Sequence, residues 1–229
     1  MEKKSVSPKP EAASKTMIVV TAPNYRDLLV KIVGTAPFVS NNFSEESKEQ
    51  MKIAMTLGDQ GKSAKGPRKP KDFEAGYRGS MHVSTQGWQG IPMISFRAAM
   101  VRACSMAKVE MTKAKQAFFV LADGQEVGSG KPLVKITKGE PQRFEEYVRN
   151  DGGKPDIRAR ALWEPGWEAV LQIQYDADFA SQQTVLNILH RAGTSVGVGA
   201  GRPFSTNSVG QGWGTFRIKT VTPIVRKTE

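Results

Sequence analysis

The residues of this chain best suited to a chemical task are the alternating glycines of Gly197-Val-Gly-Ala-Gly, followed by Arg202 and Phe204. A backbone without Cβ atoms can pass close to a ligand and present its N–H groups. An adjacent guanidinium adds a planar, permanently charged fork that fits phosphate oxygens. The chemistry is anion capture, with Gly199, Gly201 and Arg202 as donors. A small nucleotide is a poor fit, because the run follows a helical pattern rather than a strand. Arg202 also stands where a dinucleotide fingerprint needs its last glycine. Gly128-Ser-Gly-Lys131 is similar to a phosphate-binding loop, but Pro132 replaces the required Ser or Thr. It reads as a hairpin turn.

Other chemistries have fewer parts. One cysteine, Cys104, and two separated histidines, His82 and His190, cannot make a zinc set. No cofactor or metal is expected. Asp176-Ala-Asp178 lies between a strand and a helix, where aspartates serve turns and N-caps. His82 or His190 could cut RNA without a metal, and an endoribonuclease stays open as an alternative. No motif fixes a nucleophile beside either, so the main expectation is a protein without catalytic activity.

Charge points to the partner. Lys and Arg number 33 against 22 Asp and Glu, a net charge of +11 over 229 residues. Such an excess favours polyanions. It is densest in Gly58–Lys71, where Lys62, Lys65, Arg68, Lys69 and Lys71 lie among Gly and Pro. We expect a mobile basic loop at about 58–76 that clamps phosphates. Trp88 and Phe204 sit beside Gly and Arg and could stack unpaired bases. Trp167 and Trp213 are expected to pack in or near a sheet. Arg97 and Arg102 would form a basic helix edge.

These residues need a scaffold. Residues 1–16 are polar and read as a disordered tail; 17–229 read as one domain. The segment Asp27 to Val39 predicts a strand that ends at Pro37, and Phe43 to Leu57 a helix capped by Ser44. Phe96, Ala99, Met100, Ala103 and Cys104 recur at helical spacing, with Ser95 as N-cap and Cys104 as a buried small hydrophobe. Strands follow at Gln116–Ala122 and Leu133–Thr137. Pro141 to Arg160 reads as an irregular exposed excursion. A strand at Trp167–Tyr175 leads to a helix started by Asp178 or Ser181 and ended by Gly193. Its stripe is Val185, Ile188, Leu189 and Ala192, and Thr215–Val221 is the last strand. Stripped of long insertions, this is an α+β chain with a βαββαβ, ferredoxin-like or RRM-like core. No apolar run is long enough for a membrane span, and no apolar core follows the charged start. A cytoplasmic protein is expected.

Two segments carry a family resemblance. Gly87-Trp-Gln-Gly-Ile-Pro-Met-Ile-Ser-Phe-Arg-Ala-Ala-Met-Val-Arg-Ala resembles a helix start of the RAMP superfamily, the RNA-recognition-motif-like proteins of CRISPR systems. Gly197-Val-Gly-Ala-Gly-Arg-Pro with Gly212-Trp-Gly-Thr-Phe-Arg-Ile resembles its glycine-rich loop and final strand. The layout is most similar to backbone subunits that polymerise along CRISPR RNA. The C-terminal pattern is also similar to small proteins of tailed phages, which would place the chain in a host cytoplasm. The resemblance implies single-stranded RNA, rather than DNA, gripped along its backbone, and head-to-tail assembly into a homo-oligomer or filament. Rival readings are a phage structural or assembly protein, a CRISPR-interfering protein acting through protein contacts, and a strand-annealing protein.

Overall fold

A computed structural model describes residues 21–43, 45–57, 70–149, 153, 155–205 and 210–224. In chain order its elements are β1 (Tyr25–Gly34), β2 (Phe38–Val39), α1 (Glu45–Leu57), α2 (Phe73–Gly79), β3 (His82–Val83), β4 (Gln89–Pro92), α3 (Met93–Met106), α4 (Met111–Ala117) and β5 (Phe118–Leu121). Then follow β6 (Gly124–Gln125), β7 (Pro132–Lys138), β8 (Pro141–Arg149), β9 (Pro155–Trp163), β10 (Glu168–Asp176), α5 (Gln182–Arg191) and β11 (Phe216–Ile224). The predicted tail at 1–16 lies outside the described residues, as do Ser44 and most of the basic loop.

Period-two alternation builds the central sheet. Leu28, Val30 and Ile32 of β1 are buried, while Leu29, Lys31 and Val33 between them are half-buried. On β10, Ile173, Leu171 and Ala169 stand opposite those three and are buried with them. β11 pairs with the other side of β1, with a register shift between Lys31 and Ile32. β5 pairs with β10. All these pairings are antiparallel, in the order β11-β1-β10-β5. With α3 and α5 as the connecting helices, the chain path is βαββαβ, the α+β core expected.

The two helices bury the faces their spacing predicts. α3 buries Phe96, Ala99, Met100, Ala103 and Cys104, and α5 buries Val185, Ile188 and Leu189. Cys104 is wholly buried, and burial pushes its thiol pKa up. Rings fill the end of the core: Phe38 lies 5.3 Å from Trp163 and 5.7 Å from Trp167, and Phe96 lies 5.8 Å from Phe216. The indole of Trp167 donates to the Ala36 carbonyl at 3.0 Å.

Several expectations are corrected. Pro141 to Arg160 is not irregular: β8 and β9 form a hairpin in continuous register from Pro141↔Trp163 to Arg149↔Pro155. On β8 exposed Arg143, Glu145 and Tyr147 alternate with half-buried Phe144, Glu146 and Val148, and β9 is buried continuously from Ala159 to Trp163, Arg160 included. Phe38↔Trp163 adds β2 to make a second, three-stranded sheet. The end of the expected loop at 58–76 is helical from Phe73, with the Asp72 carboxylate accepting from the Ala75 amide at 2.9 Å. Ser95 is not an N-cap. β4 runs directly into α3, Pro92 holds the cap position without a side-chain bond, and Ser95 lies in the first turn. Ser181 rather than Asp178 caps α5, accepting from Thr184 N at 3.2 Å.

Gly193 does not end α5. The helix continues as one π-type turn, Ala192–Val196, and stops at Gly197, whose φ is +72°. Gly193 is there for close approach: a Cβ on it would fall 2.2 Å from the Phe216 carbonyl oxygen of β11.

Candidate nucleic-acid interface

The π-type turn delivers the chain onto the surface of α3. Between them lies a groove of about 510 Å³. One wall is α3, with Ile94, Ala98, Val101 and Arg102. The other is the segment Val196–Gly199 with Arg202 and Phe204, and α4 contributes Met111 and Lys115. The sequence candidates Arg97, Arg102, Gly199, Arg202 and Phe204 therefore meet at one place. Lys115 joins them and was missed, because nothing in its own neighbourhood marks it; only the packing of α4 against α3 brings it there.

The charges are fixed in position. Arg97 donates from Nε to the Phe118 carbonyl at 3.0 Å and from Nη2 to the Lys115 carbonyl, and its guanidinium lies 4.9 Å from the Phe119 ring. Arg202 donates from Nη1 to the Gly199 carbonyl at 3.0 Å. Arg102 stacks over the Phe204 ring at 3.9 Å, a cation–π contact. Each guanidinium keeps N–H groups beyond these bonds. Among the described residues no Asp or Glu lines the groove, and four cations, Arg97, Arg102, Lys115 and Arg202, line it together.

The residues between the glycines tie the run down. The amide of Val198 bonds to Gly214 O at 3.0 Å and that of Ala200 to Val39 O at 2.9 Å. Gly201 O accepts from Gln211 N and Trp213 N. A Cβ on Gly199 would lie 2.6 Å from the Phe38 ring, and one on Gly201 2.6 Å from Trp213. The run is thus pressed against β2 and the segment before β11. Gly199, Arg202 and Phe204 line the groove.

The remaining candidates lie elsewhere. Trp88 covers glycines at the β4–β7–β6 end of the eight-stranded sheet: a Cβ on Gly124 would lie 2.7 Å from its ring, and its indole donates to Gln86 at 3.0 Å. Lys71 is ion-paired with Asp156 and donates to the Ile157 carbonyl at 3.0 Å, against the β8–β9 hairpin. Lys62, Lys65, Arg68 and Lys69 lie outside the described residues. Trp167 is buried, and Trp213 packs edge-on to Phe144 at 5.5 Å.

Neither histidine lines the groove. His190 is exposed on α5. His82 is buried, with Nδ1 2.6 Å from Glu126 Oε1. Burial lowers the His82 pKa below 6.5, so a neutral ring donates Nδ1–H to the carboxylate. Burial pushes Glu126 up, but hydrogen bonds from Ser129 and His82 outweigh it and hold its carboxyl below the usual range. Asn42 Nδ2 adds a bond at 2.8 Å. The Ser129 hydroxyl donates to Glu126 rather than to the imidazole. Asp178 N donates to Asp176 Oδ1 at 3.0 Å, the turn expected of that pair. Among the described residues, no three His, Cys, Asp or Glu side chains are placed to hold a metal ion, and no helix is long and apolar enough to cross a membrane.

No protein-family model and no curated protein matches the chain. Solved structures do. One is a chain of the Type III-B Cmr-beta complex bound to cognate target RNA, at 13% identity and a TM-score of 0.46, covering 87% of this chain. This chain spans 61% of that one's length. Another is Cmr6 from Pyrococcus furiosus, at 10% identity and a TM-score of 0.39, covering 86% of this chain and 99% of that one. The chemistry of the site is read from the residues of the groove.

Proposed function

We propose that this chain binds single-stranded nucleic acid, RNA in preference to DNA, along the groove between α3 and the Val196–Phe204 segment. The observation that carries the reading is the set of four cations with no carboxylate among the lining residues, beside an exposed aromatic ring. Arg102, Arg202 and Lys115 would take phosphate oxygens, and Arg97 would add its charge at the edge. The preference for RNA comes from the RAMP resemblance of the sequence. The role is grip without cleavage, since both histidines are outside the groove. Several copies would assemble along one strand.

The test is binding of labelled RNA and DNA strands of equal length over a salt series, with each strand competing against the other. Binding that weakens steeply with salt, with RNA the better competitor, supports the proposal. Absent or salt-independent binding overturns it. Light scattering with and without strand, then with nuclease, reads the assembly: strand-dependent growth in mass that nuclease reverses is the expected result.

A further inference from the structure

We infer that the groove is a slot for one unstacked nucleobase and not only a track for the backbone. The inference rests on the proposed function and specifies which part of the strand enters. The bottom of the groove is aliphatic and out of water: Ala99, Val101, Val196 and Val198 are all under 9% exposed. The charged groups stand at its edge, where Arg102 and Lys115 are exposed. A phosphate cannot be driven onto an aliphatic floor without losing its hydration, which costs several kcal/mol. A backbone-only track would leave that floor wet. A base has an apolar face and a polar rim, and it is the part of a nucleotide that matches such a surface.

The lips of the groove support the same assignment. Ile94 is 57% exposed and Phe204 is 37% exposed, on opposite walls. These are large apolar side chains left open beside an apolar cleft. The Arg102–Phe204 stack already forms a planar surface, with the guanidinium 3.9 Å from the ring. A base entering the groove would extend that stack, with its flanking phosphates beside Arg102, Arg202 and Lys115. Ala98, exposed on α3 and lining the groove, leaves the space.

The experiment uses the full chain and two probes of about ten nucleotides, a length within the range that one single-strand-binding fold covers. One is an intact RNA strand; the other is a wholly abasic strand of equal charge. The intact strand is expected to bind about 5- to 150-fold more tightly, the range of one stacked base. The variant Ala98→Leu fills the slot at an exposed helical position and leaves every charge in place. It should bring the intact strand toward the abasic affinity with an unchanged salt slope. Ala98→Met repeats the test with an unbranched filler, and circular dichroism checks the fold of both.

Equal affinity for the two probes overturns the slot and leaves the phosphate grip standing. An intact strand that binds the folded Ala98 variants as well as it binds the unchanged chain also overturns the slot, because the bases are then read elsewhere. Binding of neither probe overturns the proposed function and the slot together.

Discussion

Replacing Arg102 and Arg202 together by alanine removes two of the four groove cations while leaving α3 and the glycine-rich run in place. Each phosphate neutralised on a single strand contributes about −0.7 to the slope of log affinity against log salt. Four groove cations therefore supply a slope of about −2.8, and the double variant keeps about −1.4. Between about 50 mM and about 200 mM salt, the groove's share of the affinity falls about 50-fold in the unchanged chain and about sevenfold in the variant. Other basic residues that touch the strand add the same slope to both proteins, so the difference of about 1.4 survives them. Fluorescence anisotropy of a labelled strand over the salt series reads both slopes. The lysine pair, Arg102→Lys with Arg202→Lys, keeps the charge but loses the Phe204 stack and the Gly199 tether. It should restore the slope and bind more weakly at every salt concentration. An alanine variant that is folded and shows the slope of the unchanged chain refutes the groove as the phosphate site.

Three further outcomes follow from the core and the sheet. Gly193→Ala puts a Cβ 2.2 Å from the Phe216 carbonyl oxygen, so α5 and β11 must separate; overpacking of this kind costs about 1–3 kcal/mol, and an unchanged melting temperature would refute the close-approach role. The Glu168 carboxylate lies 2.6 Å from both Lys31 Nζ and Lys219 Nζ, and hydrogen bonds from Lys219 and Lys31 hold its pKa down at about 2. The folded value is depressed, so the stabilisation is present above 4.5 and is lost as pH falls toward about 2. The stability gap between the unchanged chain and Glu168→Gln should close over that window in urea titrations, and a constant gap would exclude the linkage. His82 has the opposite charge sense: its lowered pKa means that the unfolded chain binds the proton more readily, so stability is full above 6.5 and declines as pH drops below it. His82→Asn should flatten the melting temperature just below pH 6.5, and an unflattened profile would show that another group titrates there.

The βαββαβ path was legible because its signals are local. The apolar stripes of α3 and α5 recur at helical spacing, and β1 alternates along its length. The boundaries were not, because they depend on distant residues. Ser95 looks like a cap only if a loop precedes it; β4 leaves none, because Ile91 pairs with Val134 and Pro92 with Leu133 immediately before the helix begins. The β8–β9 hairpin hid for a related reason. Arg143, Glu145 and Arg158 are exposed, and the apolar partners that make the strands visible, Ala159 and Ala161, are small. Five of the twelve candidate site residues converge in the groove, because the π-type turn after α5 lays the glycine-rich run against α3. Trp88 packs on Gly90 and Gly124 at the β4–β7–β6 end of the larger sheet, and its position between Gly87 and Gln89 gave no sign of that.

The glycine run shows how one sequence signal serves two physical ends. Gly197, Gly199 and Gly201 all have positive φ, at +72°, +80° and +66°. That pattern suits a nest of amides around an anion, and it equally suits a chain pressed flat against neighbours. The second use is visible in the neighbours. Pro37 O accepts from Gly214 N at 2.7 Å, Gly214 O accepts from Val198 N, and Val39 O accepts from Ala200 N, so the loop is tied to β2 and to the approach of β11. Those bonds hold Val196 and Val198 at the bottom of the groove, and the turn at Gly201 returns Arg202 to bond with Gly199. Rigidity of the loop and placement of the cations are therefore one property. A guanidinium tethered to its own backbone has less freedom to lose on binding, which is what the proposed grip by a groove with few charges would need.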